Sequence, residues 1–312
     1  MKIVSFLNSK GGVGKTTLAA NLGTAAALSG KKVLLIDLDA QASLTYSFYS
    51  PDGWQPEMAD SPTIRRWLEH SAAGTLSVDL AQLVLQPATV RVDVAKKRGE
   101  LGLIPADGGL IDLELALAAE AGCKNCASER AAIYVDVHGR LRSCVRSAPI
   151  SRYDLVILDC SPAFGMLTRA AVIASDFILV PTRPDYLSTY GISSLVHRVQ
   201  ELKREYNRQV DASAGAVKPA VKAQAEFLGV AFTMAQSRNM KLISVSDEPV
   251  RRVGSLGLRS FDTRISENKT TFGEASAQRR PAVLGSTARR GTARELHDLS
   301  KEFIASLWGK RV

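Results

Sequence analysis

The chain has 312 residues, of which 46% are hydrophobic and 6% aromatic, so it is long and apolar enough to bury a large core. It contains no apolar run of about 18 residues, and its N-terminus, MKIVSFLNSKGG, shows no signal-peptide pattern. These features predict a cytoplasmic protein without stable membrane insertion. Four cysteines are too few for a disulfide scaffold.

The formal net charge of +9 is concentrated in the second half of the chain. Residues 1–150 contain 16 Lys/Arg and 15 Asp/Glu, a net charge of +1, whereas residues 151–312 contain 24 and 16, a net charge of +8. Such asymmetry favours a surface for a polyanion, either nucleic acid or anionic lipid. A solvated basic surface accounts for the charge alone equally well.

Six short apolar runs rich in Val, Ile and Leu predict buried strands. In chain order they are KIVSFLN, KVLLIDLD, ELGLIPA, YDLVILD, FILVPT and EFLGVAFT. Helical patterns separate most of them, in TTLAANLGTAAALSG, DLELALAAEAG, MLTRAAVIAS and ISSLVHRVQELKREY, and an amphipathic helix is predicted at the end, in ARELHDLSKEFIASLWGKRV. This alternation predicts an α/β fold with a doubly wound, mostly parallel sheet and helices on both faces.

We predict a single domain over residues 1–312, with insertions at about 121–140 and 206–225. Residues 47–63 are rich in Pro, Gly, Ser and Asp and predict a loop. Residues 206–225 are small, polar and basic, which predicts an exposed loop.

The segment between the first predicted strand and the first predicted helix, KGGVGKTT, is typical of a phosphate-binding loop. Such a loop is glycine-rich because its backbone N–H groups must approach a polyanion, and it lies at a helix N-terminus, where the dipole favours anions. Lys15 is expected to reach the β- and γ-phosphates, Thr16 to bind Mg²⁺ and Thr17 to contact the α-phosphate. The predicted nucleotide-binding residues are Gly11, Gly12, Val13, Gly14, Lys15, Thr16 and Thr17.

KGGVGKTT also resembles the deviant Walker A motif of the ParA/MinD family of ATPases, most closely that of small, Soj-like ParA proteins that partition chromosomes and plasmids. The resemblance implies a P-loop NTPase fold, ATP as the nucleotide and an ATP-dependent homodimer. It also implies that Lys10, which matches the family's early lysine, crosses the dimer to touch the partner's ATP. A cation supplied in trans would stabilise the charge that develops during phosphoryl transfer.

Two acidic segments extend the resemblance. KVLLIDLDAQAS is similar to the family's D-x-D-P-Q segment, with Ala40 in place of proline, and implies that Asp39 helps place the attacking water while Asp37 supports the Mg²⁺ shell. YDLVILDCSPAFG resembles the Walker B strand and implies that Asp159 is an outer-sphere Mg²⁺ partner. The predicted catalytic residues are thus Lys10, Lys15 and Asp39, and the predicted Mg²⁺ residues are Thr16, Asp37 and Asp159. Near the adenine, Ser266-Glu267-Asn268 replaces the family's usual P-R-N.

The resemblance implies partners as well. ATP-bound dimers of ParA-type members associate with the nucleoid by binding DNA without sequence preference, and a ParB-like adaptor or cargo protein stimulates their slow hydrolysis. Arginines in the basic half of the chain are candidate DNA phosphate contacts. They are Arg251, Arg252, Arg259, Arg279, Arg280, Arg289 and Arg290, with Arg198, Lys203 and Arg204 on the preceding helix.

Two other members of the superfamily remain as alternatives. Iron–sulfur carriers hold a cluster through cysteines, and here Cys123, Cys126, His138 and Cys144 have a spacing that could supply three thiolates and an imidazole to Zn²⁺. Between them, IYVDVHGRLRS alternates around a His-Gly pair, which predicts a hairpin. MinD-type members bind membrane through a C-terminal amphipathic helix, for which FIASLWGKRV is the candidate, but we expect this helix to pack on the domain, as the last helix of small ParA proteins does.

Overall fold

A central parallel sheet of six strands organises the fold. The computed structural model describes residues 1–52, 54, 62–72, 79–122, 127–213, 221–235, 237–238, 241–242, 247–285 and 291–309. The strands lie in the order β3-β2-β4-β1-β5-β6, and every neighbouring pair is parallel. Their bounds are β1 Lys2–Phe6, β2 Lys32–Leu38, β3 Glu100–Ile104, β4 Leu155–Cys160, β5 Phe177–Thr182 and β6 Glu226–Phe232. All six predicted strands are therefore confirmed, as is the α/β class.

Helices connect the strands and cover the sheet. In chain order they are α1 Lys15–Leu28, α2 Ser43–Tyr46, α3 Ile64–Ala72, α4 Ala88–Lys96, α5 Leu110–Gly122, α6 Ala127–Val145, α7 Met166–Ala174, α8 Tyr186–Ala212, α9 Asp247–Ser255, α10 Lys269–Ala277 and α11 Gly291–Trp308. Short 3-10 helices occur at Leu80–Leu83, Ile150–Arg152 and Ala282–Leu284, and a small antiparallel pair joins β7 Ser237–Arg238 to β8 Lys241–Leu242.

The sheet has an apolar core on each face, as expected for parallel strands buried on both sides. Helices α3, α5, α6, α7 and α8 contribute to one core, where Ile3 and Ile36 meet Val172 and Leu195. Helices α1, α4 and α11 contribute to the other, where Phe6 packs edge-on against Phe303 of α11 with ring centroids 6.1 Å apart. The predicted double winding is thus confirmed.

The final helix, α11, buries its apolar face in the second core. Leu296, Leu299, Phe303, Ile304 and Leu307 are all buried there. The apolar surface that would enter a bilayer is therefore already covered by the protein. Within the described part of the chain, no helix is both long enough and apolar enough to cross a membrane.

Two local predictions are wrong. The segment expected to form a hairpin around His138 lies inside α6, which continues unbroken from Ala127 to Val145 and packs against α7 and α8. The loop expected from residue 206 begins later, because α8 continues to Ala212 and buries Tyr206 beneath it.

Candidate nucleotide-binding site

The phosphate-loop residues connect the end of β1 to the start of α1. Gly14 precedes the first residue of α1, Lys15, and has φ of 81°, while Gly12 has φ of 67°. Residues with a Cβ are strained at such positive φ values, so the turn needs glycine at both positions. The turn leaves the N-terminal N–H groups of α1 facing a cleft, which is a favourable site for phosphate.

Two side chains outside the motif hold this loop against β5 and β6. Asn8 donates from Nδ2 to the Pro181 carbonyl at 2.7 Å, and its Oδ1 accepts from the Lys10 backbone N–H at 2.9 Å. Thr233 donates from Oγ1 to the Val13 carbonyl at 2.8 Å. Thr233 was not predicted to be a site residue, because it follows β6 and carries no motif of its own.

Lys15 points into the loop. Its side chain is buried, and Nζ donates to the carbonyls of Asn8 at 3.2 Å and Lys10 at 3.4 Å. Burial lowers the pKa of Lys15, although the carboxylates of Asp159 and Asp39 oppose the shift. A buried ammonium held mainly by carbonyls is well placed to exchange them for phosphate oxygens.

Lys10 lies at the rim of the loop and contacts α8. Its Nζ donates to Ser188 Oγ at 2.7 Å and lies 3.6 Å from Asp185 Oδ1, and the Lys10 and Asp185 side chains are 43% and 44% exposed. Asp185 also caps α8 by accepting from the Ser188 N–H. Partial burial would raise the pKa of Asp185, but these hydrogen bonds and Lys10 outweigh it and lower the pKa. The two lysines of the loop therefore have different environments.

The neighbouring strands β2 and β4 bring Asp37 and Asp159 together, since these residues are register partners. The Asp37 carboxylate accepts three hydrogen bonds. Its Oδ2 accepts from the N–H and hydroxyl of Thr45 at 2.9 and 2.8 Å, and its Oδ1 accepts from the Asp39 N–H at 3.2 Å. Burial raises the pKa of Asp37 to about 6. Asp37 therefore positions the segment that carries Asp39.

Asp159 differs from Asp37 in its hydrogen bonding. Both its carboxylate oxygens are buried and have no hydrogen-bond partner among the described residues. Burial raises the pKa of Asp159 well above its ordinary range and the charge of Asp37 raises it further, while the nearby Thr16 side chain and the charge of Lys15 oppose the shift. A buried carboxylate with free oxygen atoms beside a second carboxylate is suited to a nearby cation, so the residues present fit a Mg²⁺ ion.

The loop opens into a cavity of about 420 Å³. Its lining contains all the predicted nucleotide-binding residues, together with Asp39. Those residues are Gly11, Gly12, Val13, Gly14, Lys15, Thr16, Thr17 and Asp39. The Asp39 carboxylate accepts from the Gln41 N–H at 3.0 Å, which orients it at the cavity wall.

Most of the apolar lining of the cavity, which we call its apolar end, comes from the C-terminal part of the chain, which also contributes Ser276 and Arg280. Met234, Phe272, Ala275, Pro281 and Ala282 line the apolar end. An aromatic ring and apolar side chains are suited to one face of a purine base. These residues were missed because they lie on separate segments without a common motif, and only their position after the β6 strand offered a signal.

The segment predicted near the adenine has other contacts. Ser266 is held by Glu295, which accepts from its N–H and hydroxyl at 2.7 and 2.6 Å. Asn268 caps α10 by accepting from the Thr271 N–H at 2.9 Å. These residues thus support the C-terminal segment that forms the apolar end of the cavity.

The predicted DNA-contacting arginines do not share one environment. Arg251 is exposed on α9, whereas the Arg252 guanidinium lies 4.4 Å from the ring centroid of Tyr186. Arg279 donates to the Tyr46 carbonyl at 3.0 Å, and Arg280 lines the nucleotide cavity and forms an ion pair with Asp93 at 3.0 Å. Arg289 and Arg290 lie outside the described residues.

The predicted zinc set is not supported. Cys123 and Cys126 lie outside the described residues, and no group of three or more potential ligands occurs among those that are described. His138 and Cys144 are six positions apart on α6, whereas neighbours on a helix face are three or four apart. His138 is buried, stacks on Tyr134 and has a pKa lowered by burial to about 4.

Comparison with known proteins agrees with this geometry. Residues 1–212 match the family described as the AAA domain. The sporulation initiation inhibitor protein Soj of Bacillus subtilis is 27% identical over 305 residues, covering 98% of this chain and 99% of Soj. The chromosome partitioning protein ParA of Caulobacter vibrioides is 29% identical over 305 residues, covering 95% and 94% of the two chains.

Solved structures show the same fold. Cobyrinic acid a,c-diamide synthase from Mycobacterium smegmatis, crystallised with an ATP analog and magnesium, superposes with a TM-score of 0.69 at 21% identity. The match covers 100% of this chain and 97% of the other.

Proposed function

Because this chain belongs to the ParA/MinD family of P-loop ATPases, we propose that it positions DNA or another cargo through an ATP-driven cycle. ATP closes a homodimer, the dimer binds DNA without sequence preference, and hydrolysis releases it. The observation that carries this proposal is Lys10, which lies at the loop rim outside the cavity and is therefore available to a second subunit.

ATP binds with its phosphates on the loop N–H groups and Lys15, and with its base at the apolar end of the cavity. Thr16 would hold Mg²⁺ directly, with Asp159 as an outer-sphere partner, and the ion would neutralise charge on the phosphates. Asp39, oriented by Gln41, helps place the attacking water. The ATP analog and magnesium in the mycobacterial structure support this choice of ligands.

Lys10 of one subunit adds a positive charge at the γ-phosphate of its partner. Preorganised charge aimed at a developing anion is a large source of rate enhancement, and here it is absent until the dimer forms. Intrinsic turnover of the monomer is therefore slow. An adaptor or cargo protein of the ParB type stimulates hydrolysis by acting on the dimer.

DNA binds through the basic second half of the chain. The net charge of +8 over residues 151–312 and the exposed arginines Arg198, Arg204 and Arg251 support this assignment. Binding that neutralises phosphates releases counterions, so affinity falls steeply with salt and shows no sequence preference.

A DNA mobility-shift assay with ATP, ADP or no nucleotide, across a salt series, tests the proposal. We expect retention of unrelated duplexes with ATP only, with affinity falling steeply as salt rises. Absence of retention at low salt with ATP would refute DNA binding. Equal retention in all three nucleotide states would refute the ATP-dependent cycle.

A further inference from the structure

A second cavity, of about 500 Å³, lies between α6, α7 and α8, away from the nucleotide. We call it the arginine cavity and define it by Tyr134, Phe164, Arg169, Arg198, Arg204 and Arg208, which line it. Four guanidinium groups around one cavity form a concentration of positive charge that the ATPase reaction itself does not use.

The carboxylates at this cavity do not balance its charge. Glu205 is paired with Arg208 and accepts from Gln209 Nε2 at 2.6 Å, while Glu201 lies 3.5 Å from His197 on its own helix. Among the described residues, the guanidinium groups of Arg169 and Arg204 have no hydrogen-bond or ion-pair partner. Guanidinium groups without a carboxylate partner are well suited to bind phosphate through paired N–H donors.

Phe164 connects this cavity to the nucleotide site. The Arg198 guanidinium lies 4.8 Å from the centroid of its ring, a cation–π contact. Two residues earlier in the same loop, Pro162 lines the nucleotide cavity. The loop begins directly after β4, which carries Asp159, and Thr168 fixes it by donating to the Ala163 carbonyl at 2.7 Å. One short loop therefore contacts both cavities.

We infer that the arginine cavity binds a phosphate group of a polyanion, and that Phe164 transmits its occupancy to the nucleotide site. A phosphate that pairs with Arg198 draws its guanidinium away from the Phe164 ring. Release of the ring removes one of the contacts that hold the loop, so that Pro162 shifts at the wall of the nucleotide cavity. If the proposed function is right, the phosphate belongs to the DNA backbone, and this part of the inference rests on that function. Phosphate recognition by the arginines does not itself require DNA.

The test compares two probes, a short DNA duplex of random sequence and inorganic polyphosphate, on the full chain with Mg²⁺ and ATP. Binding is measured by fluorescence anisotropy of labelled probe across a salt series, and ATP hydrolysis is measured with and without probe. In the wild type we expect both probes to bind and to change the hydrolysis rate by about twofold or more.

Three variants separate binding from transmission. Arg169→Ala should weaken both probes about threefold or more and reduce the salt slope by about one. Phe164→Leu keeps an apolar side chain but removes the ring face, so probe affinity should stay within about twofold while the probe-induced rate change disappears. Arg91→Ala, at an exposed arginine of α4 on the opposite face of the sheet, is the matched control and should match the wild type.

Several results would overturn the inference. Unchanged probe binding in Arg169→Ala would refute the site, and Arg204→Ala, at an exposed position, repeats this test if the first variant fails to fold. An unchanged rate response in Phe164→Leu, or no response in the wild type, would refute transmission. Polyphosphate binding without DNA binding would refute the proposed function and support the site. Equal DNA binding by Arg169→Ala and Arg91→Ala would refute the site and support the proposed function.

Discussion

Lys10 and Lys15 are five positions apart in the sequence, yet the structure places their side chains in different environments. Lys15 is buried against backbone carbonyls, whereas Lys10 is half-exposed and held by Ser188 and Asp185 on α8. An ion pair between half-exposed groups contributes only about 0–1 kcal/mol, so Lys10 can leave α8 at little cost. In the proposed dimer, Lys10 could therefore exchange Asp185 for a phosphate of the ATP bound to the second subunit.

This difference predicts a specific phenotype for Lys10→Ala. Because Nζ contacts α8 and does not enter the cavity, ATP affinity should stay within a few fold of the wild type. ATP-induced dimerisation should be lost, and hydrolysis should fall by about a hundredfold, as when one preorganised donor is removed from a developing anion. Calorimetry, light scattering and phosphate release measure the three quantities.

Lys96→Ala, at an exposed position of α4, is the matched control for loss of one lysine and should dimerise normally. If Lys10→Ala dimerises and hydrolyses ATP like this control, Lys10 is only a surface lysine. Loss of ATP affinity by an order of magnitude would instead place Lys10 in its own subunit's site.

Thr233 gives a second prediction at the residue scale. Thr233→Val keeps the shape of the side chain but removes the hydroxyl that donates to the Val13 carbonyl. Loss of about 1 kcal/mol of loop support should weaken ATP binding about fivefold. Thr182→Val is a matched control, because the buried Thr182 hydroxyl has no partner among the described residues. Equal affinities of the two variants would contradict a role for Thr233 in the loop.

At the scale of elements, the sequence predicted the sheet because a parallel strand buried on both faces is a short, unbroken apolar run. β4, for example, is entirely buried from Leu155 to Cys160. The phosphate loop was predictable for a related reason, since its glycines and Lys15 are contiguous. Asp37 and Asp159 were predictable as single residues, but their pairing across β2 and β4 required the strand order.

The prediction missed helix α6 because its sequence has the pattern of a hairpin. Branched apolar residues recur at every second position, as in a strand, at Ile133, Val135 and Val137, and Gly139 is of a type common in turns. In the structure Gly139 lies at a close helix contact, where a Cβ would come within 2.7 Å of the Tyr206 hydroxyl. The glycine therefore serves packing between α6 and α8, which no local pattern reveals.

The buried His138 of α6 predicts a pH dependence of stability. Burial lowers its pKa to about 4, whereas the unfolded chain binds the proton near pH 6.5. The unfolded state therefore takes up a proton first, and stability is lost as pH falls from about 6.5 towards 4. At pH 5 this loss should be on the order of 2 kcal/mol in the free energy of unfolding.

Urea denaturation of the wild type and His138→Phe at about pH 7.5 and pH 5 checks this prediction. The variant keeps a ring that can stack on Tyr134 but cannot titrate, so its stability should fall less on acidification. His197→Phe, at an exposed position of α8, should lose stability like the wild type. Parallel losses in all three proteins would show that His138 is not the titrating group.

At the scale of the whole molecule, the nucleotide cavity joins segments from both ends of the chain. The loop and Asp39 come from the first 40 residues, whereas the apolar end comes from Met234, Phe272 and Pro281. The second half of the chain also carries most of the net charge. A nucleotide in this cavity would therefore contact the basic half of the chain, to which we assign DNA binding under the proposed function.

The Asp39→Ala variant tests whether ATP hydrolysis releases the proposed dimer from DNA. The carboxylate lines the cavity but does not hold the loop, so its loss should leave ATP binding and dimerisation intact while hydrolysis falls below detection. The ATP dimer should then remain on DNA after excess competitor is added, and the wild type should dissociate as ATP is consumed. Asp112→Ala, at an exposed position of α5, controls for the lost charge. Normal turnover in Asp39→Ala would remove its assigned role, whereas trapped dimers that fail to retain DNA would separate the ATP switch from DNA binding.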